Sequence, residues 1–255
     1  MNRTRRAVVL TGGPDYAHDF AATGPELVSI AEEAGFVPVL VDHPDALIPL
    51  LTDASVADVL VVNALRWRML ADRHAEWRDE WAYATSPALS RAIIDFVAGG
   101  GGLVGNHTAP ICFDDWTEWG EVMGGAWDWE RSSHPPLGPV SATIVADHPV
   151  TAGVNSPVEL DDEVYGDLSL RPEITVLATA RRNGDDDEQP VVWTHGFGRG
   201  RVAYCCFGHD RRSLQHVGVR RILRQAMMWT TRSSTSESST GESSAVPGVS
   251  EEETM

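Results

Sequence analysis

The sequence predicts an α/β fold, a doubly wound and mainly parallel sheet with a strand-rich C-terminal part. Three observations carry this expectation: β-branched apolar runs alternate with segments of helical periodicity from residue 6 to residue 105, glycine-rich breaks separate them, and the texture turns to short strands after residue 136. Strands that alternate with helices pair in parallel through right-handed crossovers, which places helices on both faces of the sheet. With 255 residues and 42% hydrophobic content, the chain can bury a core without staples.

Residues 6–11 (RAVVLT) are an apolar run closed by Gly12, Gly13 and Pro14, and residues 25–34 follow at helical spacing before Gly35. Residues 37–41 and 57–62 read as a second and a third buried strand. Residues 87–98 read as a helix stopped by glycines 99–102, and residues 103–105 as a short fourth strand. Further strands are expected at 140–145, 174–179, 190–193 and 201–207, followed by one terminal helix over 213–229. This makes residues 1–232 one α/β domain. Residues 233–255 are rich in Ser and Glu, have almost nothing to bury, and are expected to form a disordered acidic tail.

Composition excludes several functions. The net charge is −17; five of the 37 acids lie in 233–255, leaving −12 on the rest. Phosphate backbones need a basic face, so no nucleic-acid partner is expected. The apolar run 7–10 is far too short for a signal sequence or a membrane span, and Cys112, Cys205 and Cys206 show no disulfide framework. A cytoplasmic protein without a membrane partner follows as the expectation. All twenty basic residues are arginine. Without lysine, Schiff-base chemistry, pyridoxal phosphate attachment and the Gly-Lys-Ser/Thr phosphate loop are all excluded.

Ligands of open parallel sheets sit at the carboxyl ends of the strands. Three such places contain histidine: His18 after the first strand, His107 after the fourth and His209 after the last. Imidazole titrates near neutrality, at a pKa of roughly 6.5, so it can serve as base, acid or metal ligand with little tuning. The run GGGGLVGNH has the form of a glycine-flanked turn from strand into helix, which projects one side chain into the open as a nucleophile elbow does. Here that side chain is His107, and histidine at such a tip points to proton transfer, metal binding or polar substrate contact.

Taken in order, several segments resemble the ThuA-like (trehalose utilisation) family over nearly all of residues 6–230. They are GGGGLVGNHTA, FDDWTEWGEVMGGAW, His134-Pro135, HPVTAG from His148, Asp162-Glu163-Val164-Tyr165, PVVWT from Pro190, and the run from Gly198 to His209-Asp210. The resemblance implies a flavodoxin-like sheet of the class I glutamine amidotransferase type. It also implies a place in the metabolism of trehalose, related disaccharides and their 3-keto derivatives. Amidotransferases carry cysteine at the elbow and follow the last strand with histidine and glutamate. Here His107 stands at the elbow, His209 and Asp210 are similar in placement to the second pair, and Cys112 lies beyond the tip, so glutamine hydrolysis is not expected. The chain departs from the family pattern at Asn106, Thr108 and His195, and its stretch 65–83 with Trp67, Trp77 and Trp81 is specific to this branch.

Two readings stay open. In one, the protein is an enzyme of isomerase, lyase or hydrolase type: His107 and His209 are acid/base or ligand groups, and Asp210 orients His209. His18, His134, Glu163 and Tyr165 then bind sugar hydroxyls, and Trp127 offers a face for a sugar ring. In the other, a non-catalytic sugar-binding or regulatory domain uses the same pocket. Either way the partner is a small-molecule carbohydrate, and a homo-oligomer stays open. No HxH or HxxxH spacing occurs among the candidates, which leaves the cofactor unknown and a divalent ion such as zinc an open alternative.

Overall fold

The computed structural model describes residues 4–53, 56–181 and 187–231; the expected tail at 233–255 and the domain end at 232 lie outside the described residues. In chain order the elements are β1 (Arg5–Gly12), α1 (Phe20–Glu33), β2 (Phe36–Val41), α2 (Leu47–Thr52), β3 (Val59–Ala64), α3 (Ala75–Trp81), α4 (Pro87–Ala98), β4 (Gly102–Asn106), α5 (Trp119–Met123), β5 (Gly125–Ala126), β6 (Gly138–Ile144), β7 (Val158–Asp162), β8 (Ser169–Leu170), β9 (Thr175–Arg181), β10 (Glu188–Phe197), β11 (Gly200–Cys205), α6 (Arg211–Gln215) and α7 (Val217–Thr230).

One nine-stranded sheet runs β2-β1-β3-β4-β11-β10-β9-β6-β7, and β5 pairs with β8 in a separate ribbon. The ladders from β2 to β11 are parallel, and those from β11 to β7 are antiparallel. The protein is therefore mixed α/β, with a large central sheet that is parallel through its first five strands. Uninterrupted apolar runs supply the middle: β3 and β4 are buried along their whole length, as strands covered on both faces must be. Among the described residues no helix is long and apolar enough to cross a membrane.

Four local expectations need correction. The strand read at 37–41 is not buried; β2 is an edge strand, with Val37 and Leu40 exposed. The first helix starts at Phe20 rather than Pro25, because the Asp19 carboxylate accepts from the Ala22 amide at 3.0 Å and Phe20 packs into a small cluster with Leu65, Trp67 and Met69. The terminal helix is two helices, broken where His216 takes an extended backbone and caps α7. Strand β7 carries no strand signal in the sequence, since Glu159, Asp161 and Asp162 mask an edge strand whose apolar face is Val158 and Leu160.

The β10–β11 hairpin packs tightly on the end of α4. A Cβ on Gly200 would lie 2.1 Å from the Val97 carbonyl oxygen and 2.6 Å from that of Gly101. Both obstacles are backbone and cannot rotate away. Gly200→Ala is expected to cost about 1–3 kcal/mol, read as a lower midpoint in thermal denaturation; a midpoint equal to wild type would contradict this packing.

Candidate functional site

Strands β1, β4 and β11 end at one edge of the sheet, and the residues just beyond them meet. His18 stands directly before the Asp19 cap of α1. His107 follows β4 with φ 44°, a left-handed backbone that a non-glycine residue adopts only under restraint. The restraint is visible: the His107 amide donates to the Cys205 carbonyl at 2.8 Å, and the Tyr204 hydroxyl donates to the His107 carbonyl at 2.8 Å. Asn106 ties the same two strand ends together, its Nδ2 donating to the Phe207 carbonyl at 2.7 Å. Gly208, at φ 144°, leaves room for it, since a Cβ there would lie 2.7 Å from Asn106 Oδ1. His209 comes next, and Arg211 and Gln215 on α6 both bond the Glu26 carboxylate of α1 at 2.9 Å. That pairing holds the His209 loop beside the helix that follows His18.

Glu163 reaches the same place from the far side of the sheet. Its strand, β7, lies four places from β11, about 19 Å across a flat sheet at roughly 4.8 Å per strand. Yet the Asp162 carboxylate accepts from the Gly208 amide at 2.8 Å, from the Ser213 hydroxyl, and from the Glu163 amide at 2.7 Å. The antiparallel half must curl over to make these contacts, which is the sense in which twisted sheets close.

The elbow conformation expected at His107 is present, but its tip is not in the open. His107 is 0% exposed, and the chain continues into a one-turn 3-10 segment at Ala109–Ile111 rather than a helix. Its ring is covered by His18 and Tyr165, each at a centroid distance of 4.8 Å, and by His209 at 5.5 Å. His107 Nδ1 lies 2.7 Å from the Cys206 carbonyl oxygen, which can only accept, so Nδ1 carries the proton and Nε2 keeps its lone pair. That lone pair faces His18 Nε2 at 2.8 Å and the Tyr165 hydroxyl at 3.2 Å.

Around Glu163 the spacing is close throughout. Oε2 lies 3.4 Å from His209 Nδ1, 3.6 Å from His107 Nε2 and 4.0 Å from His18 Nε2, while Oε1 lies 3.3 Å from His134 Nδ1. Four imidazoles therefore surround one carboxylate. Burial works against the Glu163 charge, but His134, His209 and His107 together hold its carboxyl well below the usual range. Burial, then the neighbouring rings of His107 and His209, push His18 down to about 2. Burial also lowers His107, against the pull of Asp162 and Glu163. His134 is raised, chiefly by its contact with Glu163; His209 is raised because Glu163 and Asp162 outweigh the effect of its own burial. The cluster thus divides into two neutral rings on its floor and two readily protonated rings at its rim, where His209 and His134 side chains are 19% and 37% exposed. Burial raises the Tyr165 phenol well above its ordinary value.

Trp127 closes one wall, packing edge-on to Tyr165 at 5.3 Å and to His134 at 6.1 Å. On its other side runs a cleft of about 440 Å³ lined by Trp116, Trp119, Trp127, Trp129 and Arg171. A second cleft of similar size, lined by Asp58, Asp95, Phe96 and Gly99, lies where β3 and β4 begin and contains no histidine. The strand carboxyl ends, not that cleft, are where an open sheet of this kind binds ligands.

Among the described residues no hydrogen bond joins Asp210 to His209. The Asp210 carboxylate caps α6, accepting from the Ser213 amide at 3.0 Å, and pairs with Arg212 at 2.7 Å. The anchoring carboxylate is Asp162, which stands out in the sequence only as a member of the Asp162-Glu163-Val164-Tyr165 segment. Asn106, conspicuous in the sequence only as a departure from the family pattern, is the clamp between β4 and β11.

An open α/β sheet with a histidine–carboxylate cluster at its carboxyl edge defines the class of protein. A family profile described as ThuA, trehalose utilisation, matches residues 6–230, and the chain belongs to that family. Among solved structures, a ThuA-like protein from Parabacteroides merdae aligns with TM-score 0.71 at 19% identity, over 89% of this chain and 90% of that one. A cytoplasmic protein from Salmonella typhimurium LT2 aligns with TM-score 0.60 at 14% identity, over 89% and 100%. A β-galactosidase from Rahnella sp. R3 aligns with TM-score 0.59 at 14% identity, over 90% of this chain but 32% of that one. At these identities the likeness is one of fold. No curated protein matches the chain.

The two adjacent-carboxylate roles separate by stability. Asp210→Ala removes one helix cap and is expected to cost about 1 kcal/mol; Asp162→Ala strands several buried donors and should cost about 3 kcal/mol or more. Chemical denaturation of both variants checks this, and equal losses would contradict the assignment.

Proposed function

We propose that this ThuA-family protein carries out acid–base chemistry on a carbohydrate, a trehalose-type disaccharide or its 3-keto derivative, in the histidine-lined site. The observation that carries the reading is the gathering of four imidazoles around Glu163 where the parallel strands end. Sugar hydroxyls exchange protons and carbons beside a keto group are acidic, so such a site suits isomerisation, elimination or assisted hydrolysis. His134, the most exposed of the four rings, moves the proton, with Glu163 holding it in place. His209, His18 and the Glu163 edge face the sugar oxygen that gains charge. His107 and Tyr165 lie beneath and fix these groups rather than meeting solvent. Trp127 and the cleft beside it offer aromatic faces to a second sugar ring.

The strand order β2-β1-β3-β4-β11 follows the flavodoxin-like order 2-1-3-4-5, which supports the class I amidotransferase-like assignment. Amidotransferase chemistry itself is disfavoured, because burial pushes the Cys112 thiol up to about 12 and leaves it a poor nucleophile. An intracellular setting is supported by three free buried cysteines and by the cytoplasmic relative from Salmonella. The burial of His107 and Tyr165 favours one alternative, a sugar-binding domain without turnover.

His134→Ala is expected to lower turnover of 3-keto-disaccharides by about 10²–10⁴-fold with little change in melting temperature, measured as product formation from trehalose and its 3-keto derivatives. Undiminished turnover removes His134 from the mechanism. Tight calorimetric binding of unmodified disaccharides by the wild type, with no product after long incubation, establishes the sugar-binding alternative.

A further inference from the structure

We propose that His18, His107, Glu163 and His209 together hold one divalent transition-metal ion of the zinc class. One donor atom from each residue lies within 4.8 Å of all the others. The pairs around Glu163 Oε2, at 3.4, 3.6 and 4.0 Å, and the His18–His107 pair at 2.8 Å bracket the edge of a tetrahedron. For metal–ligand distances of 2.0–2.1 Å that edge is about 3.3 Å. The four residues come from three strand ends and a curled-over edge strand, so no short sequence spacing announces them.

A second observation points the same way. Glu163 Oε2 and His209 Nδ1 are both buried and face each other at 3.4 Å in a charge contact that lacks hydrogen-bond geometry, and neither has a hydrogen bond elsewhere. Buried polar atoms almost always find a partner, and a carboxylate oxygen is costly to leave without one. These two point at the same small volume as the His107 Nε2 lone pair. The outer contacts are those that orient metal ligands: the Cys206 carbonyl accepts from His107 Nδ1 and fixes its tautomer, Asp162 lies 4.0 Å beyond it, and His134 holds the other oxygen of Glu163.

Ligand type selects the ion. Three imidazoles and one carboxylate suit zinc and its first-row neighbours, whereas calcium and magnesium prefer all-oxygen shells. His209 and His134 border solvent, so a water or a sugar oxygen can approach the ion from that side. The inference stands on the cluster geometry alone. It also deepens the carbohydrate reading, by supplying a Lewis acid for the sugar oxygen beside which His134 works.

The test uses the full chain purified without a metal-affinity step and stripped with chelator. Zinc titration against a chromogenic competitor is expected to show one tight equivalent, with calcium and magnesium unable to displace it. Glu163→Gln and His209→Ala should each weaken binding by at least about 100-fold, while Asp210→Ala binds as wild type does. Should either ligand variant fail to fold, cobalt substitution of the wild type decides alone: ligand-field absorption distinct from that of the aqueous ion is expected. Absence of tight zinc uptake, uptake unchanged in both folded ligand variants, or a cobalt spectrum identical to the aqueous ion would overturn the site. No sugar enters these measurements, so they can fail while the carbohydrate reading survives, and the reverse.

Discussion

The contact between the Asp162 carboxylate and the loop after β11 is the constraint on which the rest of the site depends. A carboxylate buried to this degree is tolerable only if its oxygens are satisfied, and here the Gly208 amide, the Ser213 hydroxyl and the Glu163 amide all donate to it. Burial still raises its pKa, against the opposing influence of His107 and Ser213. Because Gly208 and Ser213 follow β11 in the middle of the sheet order while Asp162 ends β7 at its edge, satisfying Asp162 requires the antiparallel half to curl back toward β11. That closure is what carries Glu163, the next residue, to the ends of β1, β4 and β11.

Once Glu163 is there, electrostatics arranges the imidazoles. A single anion cannot support four cations in a partly dry site, so rings nearest the floor stay neutral while rings at the rim, better solvated, are the ones drawn toward protonation. The backbone contributes as much as the side chains. The left-handed turn at His107, the Asn106 clamp and the open conformation at Gly208 hold donor atoms within a few ångströms before any ligand arrives. Such preorganisation has a cost in local strain, and strained turns of this kind concentrate where function requires them.

Solved structures that share the fold at 14–19% identity show how little sequence is needed to keep the sheet. The aromatic segment around Trp67, Trp77 and Tyr16 is different in kind. It packs against itself and against Trp129, with Tyr16 and Trp77 only 4.0 Å apart, and it borders the site without entering the imidazole cluster.

What the sequence determined by itself was the part of the fold written in local periodicity. Buried runs such as VVL in β1 and VLVV in β3, helix α4, and the glycines that stop it are legible because each is set by residues within a few positions of one another. The same locality placed His18, His107 and His209 at strand ends. Tertiary structure alone decided that Glu163 rather than Asp210 is the carboxylate they share, that Asp162 anchors the closure, and that His107 lies beneath the others instead of at an open tip. The physical reason is that β7 is a short, acidic edge strand with little periodic signal. Its position follows from hydrogen bonds to residues about fifty places away in the chain, which no local pattern encodes.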